Sequence, residues 1–144
     1  MKVKDILNSK GRKIFAVAEH ATVEHVVAEL STNKIGFLIV NDNAGAMTGV
    51  VSERDVVHRC LSLKKDPTQL KASDIMTPKS TLVTALEDDE IETIMTIMTE
   101  KKIRHLPVFS GEQLVGLISI GDVIKFILEE KNEAIKTLMD YVSR

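Results

Sequence analysis

Apolar residues recur along this chain in two rhythms, one of period two and one near 3.6, and the whole succession is run through twice. Ile14-Phe15-Ala16-Val17 is an apolar run of strand length. Thr22 then stands ahead of Val23, Val26, Val27 and Leu30, spaced i, i+3, i+4 and i+7, which predicts a capped helix with that apolar face. Strands follow over about 37–41 and 47–51, then a helix over about 53–63. In the second pass Asp89, with Glu92 three residues on as in a capping box, heads a helix whose face is Ile91, Ile94, Met95 and Met98. Strands over 106–109 and 114–118 and a helix over about 120–131 complete it. Each pass reads β-α-β-β-α. Residues 1–13 form a short polar lead with Lys and Arg at both ends, and Ile135, Leu138, Met139 and Val142 prolong or follow the last helix.

The two passes are copies. Lys34-Ile35-Gly36-Phe37-Leu38-Ile39-Val40 lies 68 residues before Lys102 to Val108, and Gly49-Val50-Val51-Ser52-Glu53-Arg54-Asp55 lies 67 before Gly116 to Asp122. The one-residue difference falls between the strands, Asp42 to Gly45 against Ser110 to Glu112, where a change of loop length costs little. Lys4-Asp5-Ile6-Leu7 likewise answers Ser73-Asp74-Ile75-Met76. The chain is thus a tandem of like units: one over 1–63, a Pro67-containing linker over 64–71, a second over 72–131 and a helical extension over 132–144. Pro78 bars Thr77 from helical geometry, so a short helix over 72–76 has to stop there. The chain then runs extended through Lys79-Ser80-Thr81 into a strand at Leu82-Val83-Thr84, leaving backbone groups open to a flat ligand.

Composition narrows the function classes. A hydrophobic content of 44% with 28% charged residues is that of a globular protein with a core. Aromatics are only 3% and the net charge is −2, so neither base-stacking platforms nor a basic nucleic-acid or membrane surface is available. No apolar run of membrane-spanning length is present, and the single Cys60 has no partner for a disulfide, so a cytoplasmic setting is expected. His20, His25, His58 and His105 are scattered, and no nucleophile triad or metal-ligand spacing occurs, so the protein is expected not to be an enzyme and to require no metal. Glu87-Asp88-Asp89-Glu90 lacks the pattern of a calcium loop and fits an acidic turn before a helix; Cys60, with Val56 and Val57, fits a buried inert thiol.

The chemistry is concentrated at Ser52-x-x-Asp55 and Ser119-x-x-Asp122. Taken alone, each is explained as a helix cap with a first-turn acid, worth ~0.5–2 kcal/mol. Two features point beyond a cap. Each motif directly follows a strand, so hydroxyl, carboxylate and phosphate-attracting amides emerge together at a helix start. A carboxylate so placed is also a good acceptor for the vicinal hydroxyls of a ribose. Arg54, Arg104 and His105 are explained as solvated charges, yet Arg104-His105 opens a strand that is otherwise apolar, which turns one of the two toward each face. Gly121 leaves room for a bulky anion beside the helix start.

The β-α-β-β-α repeat, the Asp-Ile-Met-Thr-Pro entry, the Ile-Arg-His-Leu-Pro-Val strand and the Gly-h-h-Ser-x-x-Asp junction (h apolar) resemble the cystathionine-β-synthase (CBS) domain. Two in tandem resemble a Bateman module, over about residues 3–130, with no room left for a catalytic domain. The resemblance implies an α/β (α+β) fold in which the two repeats pack through their sheets around a pseudo-twofold axis, leaving two clefts. It implies an adenosyl ligand there: AMP, ADP, ATP, NAD(H) or S-adenosylmethionine. Adenine would lie against Lys13, Ile14, Phe15, Ala16 and Val17 in one cleft and Ser80, Thr81, Leu82, Val83 and Thr84 in the other, with Pro107 alongside. Asp55 and Asp122 would take the ribose, and Ser52, Arg54, Arg104, His105 and Ser119 the phosphates. The implied protein is a non-catalytic sensor of energy or redox state, homodimeric through its helices and acting on a downstream protein partner; the alternative is an interaction or dimerisation module with empty clefts. The first repeat has Gly36-Phe37-Leu38-Ile39 where the second has Arg104-His105-Leu106-Pro107, and Leu7-Asn8-Ser9 where the second has Met76-Thr77-Pro78, so the clefts are unlike.

Overall fold

In the computed structural model, which describes residues 1–143, the chain divides into two compact units: 14–82, and a second made of 1–13 together with the segment from Val83 onward. Arg144, the end of the extension, lies outside the described residues. The fold is mixed α+β in both units, as expected.

The 14–82 unit is built on a sheet of order β1-β2-β3-β4: Ala16–Ala18, Phe37–Asn41, Met47–Ser52 and Thr77–Pro78. The first pair is parallel, with Ala16 beside Ile39, because α2 (Val23–Asn33) carries the chain back between them. The other pairs are antiparallel. Thr22 caps α2 by accepting a hydrogen bond from the His25 amide at 3.1 Å. Val23, Val26 and Leu30 of the expected face are buried, while Val27 is exposed. They meet Leu38, Val40, Val51, Val56, Cys60 and Ile75 in one core. The helix expected over 53–63 is shorter and irregular: α3 (Glu53–Val56) opens into a π-helical turn at Val57–Leu61, which brings Cys60 into the core and leaves Val57 exposed. α4 (Ala72–Ile75) stops ahead of Pro78, as that residue dictates. Lys79–Thr81 is not extended but winds into one 3-10 turn.

The second unit has a three-stranded sheet of order β5-β6-β7: Ala85–Leu86, His105–Ser110 and Gln113–Ser119. The strand expected at 82–84 thus pairs slightly later. α5 (Ile91–Lys101) buries Ile91, Ile94 and Met98. Its expected capping box does not form: Glu90 is the N-cap residue with no side-chain bond, and Asp89 instead accepts from the Leu86 amide at 2.8 Å. Both α2 and α5 end on a lysine in the left-handed region, Lys34 (φ 53°) and Lys102 (φ 54°), so the copies agree even in an uncommon backbone state. α6 (Ile120–Val142) is one continuous helix of 23 residues, absorbing the extension.

The polar lead is the main surprise. Val3–Lys10 is a helix, α1, with Val3, Ile6 and Leu7 in the core of the β5–β7 unit. The acidic turn 87–90 grips it through Lys4–Asp88 (3.1 Å), Arg12–Glu87 (3.6 Å) and the chain's amino group on Glu90 (3.7 Å). Leu7 presses on β7 where residue 116 has no side chain: a Cβ there would stand 2.7 Å from a Leu7 methyl. The copy of this contact is in the other unit, where a Cβ on Gly49 would stand 2.5 Å from the Thr77 carbonyl oxygen and 2.8 Å from Met76 sulfur. α1 and α4 are therefore equivalent struts. α1 opens the first sequence repeat yet braces the sheet of the second, and α4 opens the second yet braces the sheet of the first.

Candidate functional site

Each Ser-x-x-Asp motif is a closed capping box. Ser119 accepts from the Asp122 amide at 3.0 Å, and its own amide donates to Asp122 Oδ2 at 2.8 Å. Ser52 and Asp55 repeat this at 3.3 and 2.9 Å. The helix starts are pinned further by backbone bonds across the sheet, Ile120 N–H to the Arg104 carbonyl (2.8 Å) and Glu53 N–H to that of Gly36 (3.0 Å). A strand end, a capped helix start and a half-buried carboxylate are thus held rigidly together, twice.

The register decides which other predicted residues join them. In the second unit Ser119 pairs with His105 and β5 runs parallel to β6, so Val83 and Thr84 enter at the sheet end that holds Arg104, His105, Ser119 and Asp122. Pro107 is buried within β6, opposite Leu117. Arg104 is exposed, and the Ile120 hydrogen bond sets its backbone against the first turn of α6. In the 14–82 unit Phe37 pairs with Ser52, and Ile39 N–H donates to the Phe15 carbonyl at 3.0 Å. Ile14, Phe15, Ser52, exposed Arg54 and Asp55 therefore share one end, with Ala16 and buried Val17 running inward from it. Ser80, Thr81 and Leu82 do not join them: β4 runs antiparallel to β3, with Thr77 beside Val50 and Pro78 beside Gly49, and so delivers them toward the opposite end. Exposed Lys13 closes the N-terminal segment of the other unit.

Two cations that sequence reasoning passed over touch the carboxylates. Lys10, on the last turn of α1, places Nζ 2.7 Å from Asp122 Oδ2 and 2.9 Å from the Leu117 carbonyl. Burial pushes the Asp122 pKa up, but hydrogen bonds from Lys10 and the Ser119 amide, with the ammonium's charge, outweigh it and hold the carboxyl below its ordinary range. Lys10 and Asp122 also line one groove with Ile6, Lys125 and Phe126. At Asp55 the neighbour is Arg59, one helical turn on, with Nε 3.8 Å from Oδ1; its Nη1 donates to the Ile75 and Met76 carbonyls at 3.2 and 3.0 Å. The i, i+4 spacing was the available signal for Arg59. For Lys10 there was none without α1.

The described residues contain no helix long and apolar enough to cross a membrane. The family model of the CBS domain matches residues 3–62 and again 72–129. Among solved structures, a CBS-domain protein of Burkholderia ambifaria described as a putative signal-transduction protein is similar at 31% identity and TM-score 0.84, over 90% of this chain and 95% of that one. A CBS domain protein of Pyrobaculum aerophilum, solved in complex with AMP, is 27% identical with TM-score 0.73, over 85% and 89%. A mitochondrial CBS domain-containing protein of Arabidopsis thaliana is 27% identical over 97% of this chain and 71% of its own. With two matched repeats, doubled capping-box junctions and the same fold in these structures, the chain is a tandem pair of CBS domains and belongs to that family of regulatory modules.

Proposed function

We propose that this protein is a non-catalytic sensor that binds adenosyl ligands, AMP, ADP, ATP or NAD(H), with Asp55 and Asp122 accepting the ribose hydroxyls. The observation that supports this most is the doubled junction: a rigid carboxylate at a capped helix start, reproduced in both units with the same hydrogen bonds. The Pyrobaculum relative complexed with AMP supports the ligand class. Ser52 and Arg54 on one side, and Arg104, His105 and Ser119 on the other, would meet phosphates where helix amides already favour an anion. Adenine would lie against the entering segments, Lys13 to Val17 and Ser80 to Thr84, with Pro107 behind. Titration calorimetry tests this with AMP, ADP, ATP, NAD, NADH and S-adenosylmethionine. Asp55→Ala and Asp122→Ala should each weaken one binding event by roughly 1.5–3 kcal/mol, on the order of ten- to a hundredfold, with the fold retained. Unaltered affinity in both variants would return the carboxylates to helix capping alone.

A second copy of the chain is the partner that the exposed apolar residues of each unit fit. Val57 and Leu61 on the π-helical turn and Leu128, Ile135, Leu138 and Met139 on α6 are all exposed, more apolar surface than an isolated helix face leaves to water. Sedimentation at micromolar concentration should give a mass near twice the 16.0 kDa of one chain. A sharp single-chain mass, with and without nucleotide, rules the homodimer out. The competing view of an interaction or dimerisation module without ligand also expects a dimer, so the binding heats decide between the two.

A further inference from the structure

We infer that Lys10 is a resident counter-ion of the Asp122 site, occupying the carboxylate that an incoming ribose needs, so that α1 gates this site while Asp55 is left ungated. This rests on the assignment of Asp122 to the ribose. The contact comes from a departure between the repeats. Lys10 corresponds to Lys79, and Asn8-Ser9 to Thr77-Pro78. Pro78 ends α4 at Ile75, whereas α1 lacks that proline and winds on to Lys10, one turn further. The longer helix is held in place: Leu7 fills the notch at Gly116, and Lys4 and Arg12 are tied to the acidic turn. Its last side chain then bridges the end of β7 and the start of α6, donating to the Leu117 carbonyl and Asp122 Oδ2. Lys10 and the Ser119 amide both donate to Oδ2, so one of the two oxygens that a vicinal diol would use already carries an ammonium. Asp55 differs. Its neighbour Arg59 stands at 3.8 Å, beyond hydrogen-bond length, and spends other donors on the Ile75 and Met76 carbonyls.

Adenosine is the probe, because it brings the diol without phosphates that could draw Lys10 to themselves. In calorimetry Lys10→Met should tighten, by about two- to fivefold, the binding event that Asp122→Ala weakens, the scale of a partly exposed ion pair. Lys125→Met, which removes a charge from the same groove without touching Asp122, should leave that event within twofold. A pulse of amine acetylation read by mass spectrometry repeats the test on the unmodified protein. Saturating adenosine should raise the labelling of Lys10, freed from its carboxylate. Unchanged or weaker binding by Lys10→Met, an equal gain in Lys125→Met, or protection of Lys10 by adenosine overturns the gate. Binding in which only the Lys10 effect is missing leaves the ribose assignment standing. Absence of any heat with adenosine or AMP, in the wild type and in Lys10→Met, removes that assignment and the gate together.

Discussion

Leu7→Ala is expected to destabilise the protein by about 2–5 kcal/mol, although it lies in a polar lead only a few residues from the N-terminus. The side chain is fully buried and packs in the core of the β5–β7 unit with Val3, Ile6, Leu106 and Ile118. Removing it forfeits the transfer energy of its methyls and opens a void against Gly116 that the β6–β7 ladder cannot collapse to fill. The loss should be localised. Hydrogen exchange should quicken in β6, β7 and α5 while β2 and β3 of the 14–82 unit keep their protection. A melting point within a degree of wild type would mean that α1 is a frayed tail; faster exchange confined to β2 and β3 would mean that it braces the other sheet.

Gly49→Ala should cost about 1–3 kcal/mol, near the upper end for a single added methyl. The new Cβ would meet the Thr77 carbonyl at 2.5 Å, and that oxygen belongs to a strand paired with β3 through Val50 and Gly49. Neither backbone can give way without loosening the edge of the sheet. Gly116→Ala looks like the same change but meets only Leu7 methyls, at 2.7 and 3.0 Å. Combining Leu7→Ala with Gly116→Ala should therefore be markedly less damaging than the two losses added, since the small residue makes room for the methyl. Combining Met76→Ala with Gly49→Ala should rescue little, because the carbonyl remains. Denaturant titration of the four single and two double variants decides it, and additivity in the Leu7 pair would refute direct contact.

The repeat was legible because its strands and helices keep one phase in both copies: Val23, Val26 and Leu30 are buried as Ile91, Ile94 and Met98 are. The capping boxes at Ser52 and Ser119 were legible for the same reason, being complete within four residues. What escaped was non-local. Val3, Ile6 and Leu7 have helical spacing, but a single turn and a half of apolar face between lysines is too short to weigh against the charge around it. The cap at Asp89 failed because that carboxylate closed the turn behind it instead, a choice between two amides that spacing cannot rank. Lys10 could not be tied to Asp122, as no pattern along the chain announces a partner more than a hundred residues away. The π-helical turn has no sequence signal either; it follows from Cys60 having to reach the core.

The exchange of struts has a consequence for how the protein is made. Residues 14–82 are contiguous, so their sheet, with α4 as its last brace, is complete soon after that stretch leaves the ribosome. The other unit has no such privilege. Its first helix, α1, is synthesised before the intervening 14–82 unit and then waits, unpartnered, until β6 and β7 have emerged about a hundred residues later. Closing so long a loop adds only slowly to the entropy cost, but it delays the contact. Within that unit the order of synthesis is thus the reverse of the order of use: the segment translated first is among the last to find its place.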